Sequence, residues 1–247
     1  MRRLFLILLM CISWLPAFAQ EPGVTRTKLI LSQREDPLAR YAARISAEAF
    51  RRSGIETEFR TLPSERALQA ADSGQTAGDQ VRVAGLEKLY PNLVQVPVPM
   101  LNYHTVVFTA GMTFRIDGWE SLKPYSLCIL RGMKLAETAT ESMDRTIAND
   151  VAQSILMLKA GRCKVAVLGY NAWPEIDRMR AGPLLSLDPP INSVPLYLYV
   201  NKKHADLVPS LAQALQKMQV DGFTSGVLNE MEQEIQAARQ RNAMPAR

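Results

Sequence analysis

Short apolar runs alternate with helix-periodic stretches along most of the chain, and that alternation is its strongest structural constraint. An apolar run of a few residues suits a strand in a buried sheet, whereas apolar residues recurring at three- and four-place intervals suit one face of a helix. Strands are expected at 28–31, 57–60, 94–98, 103–108, 126–130, 165–168 and 194–200. Between the first two, Leu38, Tyr41, Ala42, Ile45 and Ala49 mark a helix that ends near Gly54. Ser64 suits an N-cap with Glu65 in the first turn, and that helix stops near Gly74. Gly132 opens a helix to 139, and Asn149 caps one bearing Val151, Ile155 and Leu158 that Gly161 closes. Leu207, Leu211, Ala214, Leu215 and Met218 mark a late helix, and Val227, Leu228, Met231 and Ile235 mark the last. This order predicts an α/β fold.

The start of the chain reads differently. Residues 1–19, MRRLFLILLMCISWLPAFA, have a basic opening, an apolar run too short to span a bilayer comfortably, and an A-x-A ending. They predict a cleavable secretory signal peptide and therefore a periplasmic protein. The 247-residue chain is 47% hydrophobic and 21% charged, which excludes collagen-like, coiled-coil and largely disordered classes. Its net charge of +5 includes Arg2 and Arg3 of the leader, so no nucleic-acid partner is expected. With two histidines in all, a His-rich metal site is not expected. No His-Glu zinc motif, nucleophile elbow or pair of carboxylates flanked by a histidine is present. No catalytic residue, metal or cofactor is therefore assigned. His104 reads as a structural, hydrogen-bonded histidine and His204 as a surface one.

Five segments together resemble type 2 periplasmic solute-binding proteins of the extracellular solute-binding family 3. They are LPSERALQAADSG at 62–74, YPNLVQVP at 90–97, LRGMKLAE at 130–137, LKAGRCKVAV at 158–167 and PLYLYVNKK at 195–203, followed by a helix pair around Asp221 and Gly222. The resemblance implies two α/β lobes, each a mixed sheet flanked by helices, joined by two crossing strands. Lobe 1 would comprise 20–110 and 195–247, and lobe 2 would comprise 111–194. The crossings would lie at 109–113 and 192–195, with Gly111 supplying hinge freedom. Ligand would bind in the cleft between the lobes at the C-terminal ends of strands.

The resemblance also nominates site residues. Amino-acid binders of this family hold the ligand's amino group with an aspartate after a lobe 2 strand, where this chain has Gly169, and Lys164 replaces the acid usual at the strand start. A ligand ammonium would lose its counter-charge there, which disfavours an α-amino acid and favours a carboxylate or other anion. The opening Arg131, Gly132, Met133 and Lys134 is the anion-site candidate in lobe 2. In lobe 1, Arg34 and the Asp79–Arg82 region are the candidates, Arg82 as a planar carboxylate clamp. The alternative for Arg82 is an ion pair with Asp79 or Glu87. Tyr170, Tyr103 and Trp119 are candidate cleft walls. Cys128 and Cys163 are placed on strands of one sheet, so a disulfide between them and two buried thiols both stand open.

These features predict a receptor for a small polar, anionic or carboxylate-bearing solute, serving a membrane permease or a sensor, and the resemblance implies a monomer. Two alternatives accompany it: an interaction module that has lost its ligand, and a periplasmic lyase-type enzyme.

Overall fold

A computed structural model describes residues 28–243. The signal-peptide reading therefore lies outside the described residues. The strands are β1 (Lys28–Arg34), β2 (Glu56–Leu62), β3 (Gly78–Arg82), β4 (Leu93–Gln95), β5 (Leu101–Thr109), β6 (Leu127–Leu130), β7 (Arg145–Ala148), β8 (Val165–Gly169) and β9 (Leu185–Asn201). The helices are α1 (Ala39–Arg52), α2 (Ser64–Asp72), α3 (Lys134–Ala139), α4 (Val151–Lys159), α5 (Trp173–Arg178), α6 (Val208–Val220) and α7 (Phe223–Ala243).

The strands run in the order β2-β1-β3-β9-β5-β8-β6-β7, and β4 adds to β9. Two strand sets share the long β9. In the first, β1 lies parallel to β2 and β3, and the C-terminal part of β9 pairs antiparallel with β3 and β4. In the second, β6 lies parallel to β7 and β8, β8 pairs antiparallel with β5, and β5 pairs with β9. Each set carries its own core. Leu31, Ile45, Phe50, Leu198 and Leu211 belong to the first, and Phe108, Cys128, Ile155, Leu168 and Trp173 to the second. β5 and β9 pass between the sets together. Thr105–Phe108 already pairs with β8, so the first passage runs through Leu101–Thr105, upstream of the expected 109–113.

Several elements depart from the sequence expectations. β3 (GDQVR) reads as polar and is absent from the expected strands, yet every residue of it is buried. Its polar groups are paired instead of solvated: the Ser46 hydroxyl donates to Gln80, and Arg82 donates to Asp79. β7 and α5 are also unforeseen. β9 begins at Leu185 and runs through Pro189 and Pro190, ahead of the expected 194–200. Ser64 is the first residue of α2 and does not cap it, because its hydroxyl and carbonyl both accept from Arg82. Asp150, not Asn149, caps α4 by accepting from the Gln153 N–H at 2.7 Å. Asn149 accepts from Arg131 instead. His104 is exposed on β5 and has no side-chain hydrogen bond among the described residues.

The last helix is bound to both cores. Val227 of α7 packs in the first, while Ile235 and Ala238 pack in the second beside Trp173 and Ile176. Farther along, Arg241 pairs with Asp177 at 2.8 Å and Asn242 donates to the Leu184 carbonyl. The distal half of α7 thus rests on the second strand set, whereas the sequence reading placed all of 195–247 in lobe 1. A disulfide joins Cys128 on β6 to Cys163, just before β8, with Cα atoms 5.7 Å apart. Among the described residues, no helix is long and apolar enough to cross a membrane.

Candidate functional site

Parallel strands leave their following loops and helix starts at one edge of a sheet, which is where ligand crevices form in such folds. The loops after β1, β2, β6, β7 and β8 meet in this way around a cavity of about 1370 Å³. The first strand set contributes residues 33–37, Ala39 and 63–66, and the second contributes 130–133, 149–152, Asn171, Ala172, Pro174 and Glu175. Tyr103, on the passage strand β5, lies at the base between them, and Glu234 of α7 reaches the rim.

Arg34 is the lobe 1 candidate that the fold brings to this cavity. It ends β1, and its side chain is 15% exposed. Its Nη2 stands 2.9 Å from Asp36, but Nε and Nη2 are both buried and find no hydrogen-bond partner among the described residues. Burial opposes its charge; Asp36, Tyr103 and Asp79 outweigh that and hold its pKa above the ordinary value. Asp36 is itself engaged, accepting from the Ala39 N–H at 3.0 Å as α1 begins.

Asp79 and Arg82 do not line the cavity. Arg82 is 4% exposed and donates to Asp79 at 2.7 Å and to the Ser64 hydroxyl and carbonyl. Burial drives Asp79 up and Arg82 down in pKa, against their mutual attraction. The guanidinium expected to clamp a carboxylate is therefore spent on the ion pair that was its alternative, with Asp79 as the partner.

In the second strand set, Arg131, Gly132 and Met133 do line the cavity. Lys134 does not. It pairs with Glu65 of α2 at 2.8 Å, and that hydrogen bond leads the causes raising its pKa. Burial acts to raise the Glu65 carboxyl, but hydrogen bonds from Lys134 and Tyr90 bring it below its ordinary value. Beside this pair, a side chain at Gly132 would come within 2.7 Å of Ser64. The two sides of the cleft therefore touch at this corner, around a small cavity of about 60 Å³.

Tyr170 also turns away from the cavity. Its hydroxyl accepts from Gln236 at 3.0 Å and Arg239 at 3.3 Å, both on α7. Trp119 packs against the second set's outer core with Ile116 and Leu122. Of the three candidate aromatics, Tyr103 reaches the cavity, where Phe59 of β2 also lies. Gly169 lies beside Tyr103 on β8, and a side chain there would collide with the Tyr103 hydroxyl and with Asn171 Oδ1. Sequence reasoning missed Asn149–Ala152, Asn171 and Glu175. The first of these follow the unforeseen β7, and the others lie just beyond the end of β8, where strand-end position was the available signal.

No protein-family model matches the chain. An uncharacterized protein of Shewanella oneidensis is 22% identical over 196 residues, 74% of this chain and 73% of that one. A histidine kinase sensor domain with similarity to periplasmic binding proteins superposes with a TM-score of 0.72 at 18% identity, covering 83% of this chain and 96% of the sensor domain. The substrate-binding protein of an amino acid ABC transporter gives a TM-score of 0.67 at 14% identity, covering 83% and 98%. The chain has the two-lobe fold of type 2 periplasmic binding proteins, and the cavity lies between its lobes.

Proposed function

We propose that the protein is a non-catalytic periplasmic receptor that captures a small polar, anionic or carboxylate-bearing solute in the inter-lobe cleft, for delivery to a permease or for report to a sensor. The carrying observation is Arg34, a cation sunk at the cleft wall whose Nη2 is ion-paired with Asp36 at 2.9 Å and whose buried Nε has no acceptor among the described residues. A buried donor without an acceptor is costly, and a carboxylate in the cleft would relieve that cost. Arg131 and the backbone of Gly132 stand on the facing lobe as secondary contacts. Closure of the lobes over the solute would be the signal.

The ligand-free alternative expects the cleft to be filled by its own side chains, such as Met133 and Tyr170. Tyr170 is held by α7 instead, and about 1370 Å³ stays open, which favours the receptor.

A thermal-shift screen tests the reading. The protein is unfolded and refolded to strip carried solute, then melted with amino acids, dicarboxylates, other organic acids and inorganic anions. A solute at one hundred times its dissociation constant adds about 2.7 kcal/mol, or roughly 5–10 °C for a chain of this size. A concentration-dependent rise for an anionic class supports the receptor. No rise for any class sinks it.

A further inference from the structure

At the base of the cleft β5 and β8 lie side by side, with Thr105 opposite Gly169. Gly169 has ordinary extended backbone, with φ −69° and ψ 147°, so its glycine is not required by conformation. It is required by space. A Cβ at 169 would strike the Tyr103 hydroxyl and Asn171 Oδ1, and would stand 2.6 Å from the ring carbon Cζ. The phenol thus occupies the volume that any side chain at 169 would need, and no carboxylate can project from that position while Tyr103 stays in place.

What the phenol offers instead is a donor. Burial pushes the Tyr103 hydroxyl up to about 12, although Arg34 pulls the other way, so it keeps its proton at neutral pH. It forms no hydrogen bond to a described residue, and it lines the cavity together with Arg34. Arg34 adds Nε, buried without an acceptor among the described residues, while its Nη2 is ion-paired with Asp36. Among the carboxylates on the cavity wall, Asp36, Glu65, Asp150, Glu175 and Glu234 each hold a partner within the protein. Glu35 has none among the described residues, and it is exposed, where water screens its charge. The cleft there therefore offers two unused donors, the Tyr103 hydroxyl and Arg34 Nε, while every wall carboxylate but the exposed Glu35 is already paired. Such a surface rewards an oxyanion and leaves an ammonium without a counter-charge.

Resting on the receptor reading, we propose that the solute is a carboxylate without an α-ammonium group, such as a 2-oxo acid, a 2-hydroxy acid or a dicarboxylate, and that Tyr103 is the residue that sets this preference, with Arg34 beside it.

Matched pairs that differ in the amino group test this by isothermal titration of the refolded protein: 2-oxoglutarate against glutamate, succinate against aspartate, and lactate against alanine. The member without the amine is expected to bind at least ten-fold tighter in the pair that fits the cleft. Tyr103→Phe keeps the ring and removes the donor, and is expected to weaken that member about five- to twenty-fold while narrowing the gap within the pair. The melting temperature of the unliganded variant reports its folding separately. Equal or tighter binding of the amino acid overturns the preference while leaving the receptor standing. An unchanged ratio in folded Tyr103→Phe overturns the role of Tyr103. If neither member of any pair binds and the thermal screen is also flat, the receptor reading fails and this inference falls with it.

Discussion

Arg34 and Arg82 are both arginines at the ends of lobe 1 strands, and their fates differ because of one neighbour each. Arg82 meets Asp79 and the two oxygens of Ser64 and is fully consumed. Arg34 is ion-paired with Asp36 alone, and Asp36 also accepts from the Ala39 N–H at the start of α1. Nothing in the local sequence distinguishes a satisfied guanidinium from an unsatisfied one, since Asp79 and Asp36 both lie within three residues of their arginine. The difference arises from Ser64, which approaches Arg82 from 18 residues away. Sequence reasoning therefore named both, with Arg82 as the clamp because the resemblance implies a carboxylate-gripping arginine in that region. Removing one member of a buried pair leaves the other charge uncompensated, so Arg82→Ala should cost about 3–5 kcal/mol in urea unfolding. A loss below about 1 kcal/mol would show that the Asp79 pair is not the anchor described above.

The regular elements were legible where their burial is one-sided or apolar, as in α1, α6, β1 and β8. β3 was not, because its buried polar groups hide it from any hydrophobic pattern. Neither was the proline-bearing start of β9, which pairs with β5 despite Pro189 and Pro190. α1 illustrates how an element is tied down beyond its apolar face. Glu48 accepts from Arg51 and Arg52, and Arg52 also pairs with Asp221 between α6 and α7. The Arg51 hydrogen bond leads the causes that lower Glu48 to about 2. A carboxyl depressed in the folded state adds stability above its unfolded value, near 4.5, and that contribution disappears as pH falls toward 2. Glu48→Gln should therefore flatten the pH dependence of the urea midpoint between about 4.5 and 2; an unaltered slope would contradict the assignment. In the second lobe, the Cys128–Cys163 bridge closes a span of 35 residues. Cys128→Ala with Cys163→Ala should lower stability by roughly 3–4 kcal/mol and abolish any effect of dithiothreitol on melting.

Across the whole molecule, the lobes are joined by more than the two passing strands. α7 has Val227 in one core and Ile235 in the other, and Lys134 reaches across the cleft mouth to Glu65. These connections predict a single cooperative unfolding transition, with Ile235→Ala costing about 2–4 kcal/mol across that one transition. Two resolved melting steps would contradict it. The α/β class was visible in the strand–helix alternation, whereas the two-lobe architecture was implied by the resemblance that the five segments carry. The cleft's chemistry was only partly visible. Which side chains face the cavity depends on residues distant in sequence: Tyr103 against Gly169, and α7 drawing Tyr170 away. The most direct test of solute capture at this cleft is isothermal titration of wild type and Arg34→Met with the solute that gives the largest thermal shift. Loss of a charge-assisted contact of about 1.5–3 kcal/mol should weaken the variant's affinity by roughly 10- to 100-fold. Equal affinity in a folded Arg34→Met protein would contradict the assignment of this cleft wall as the anion site.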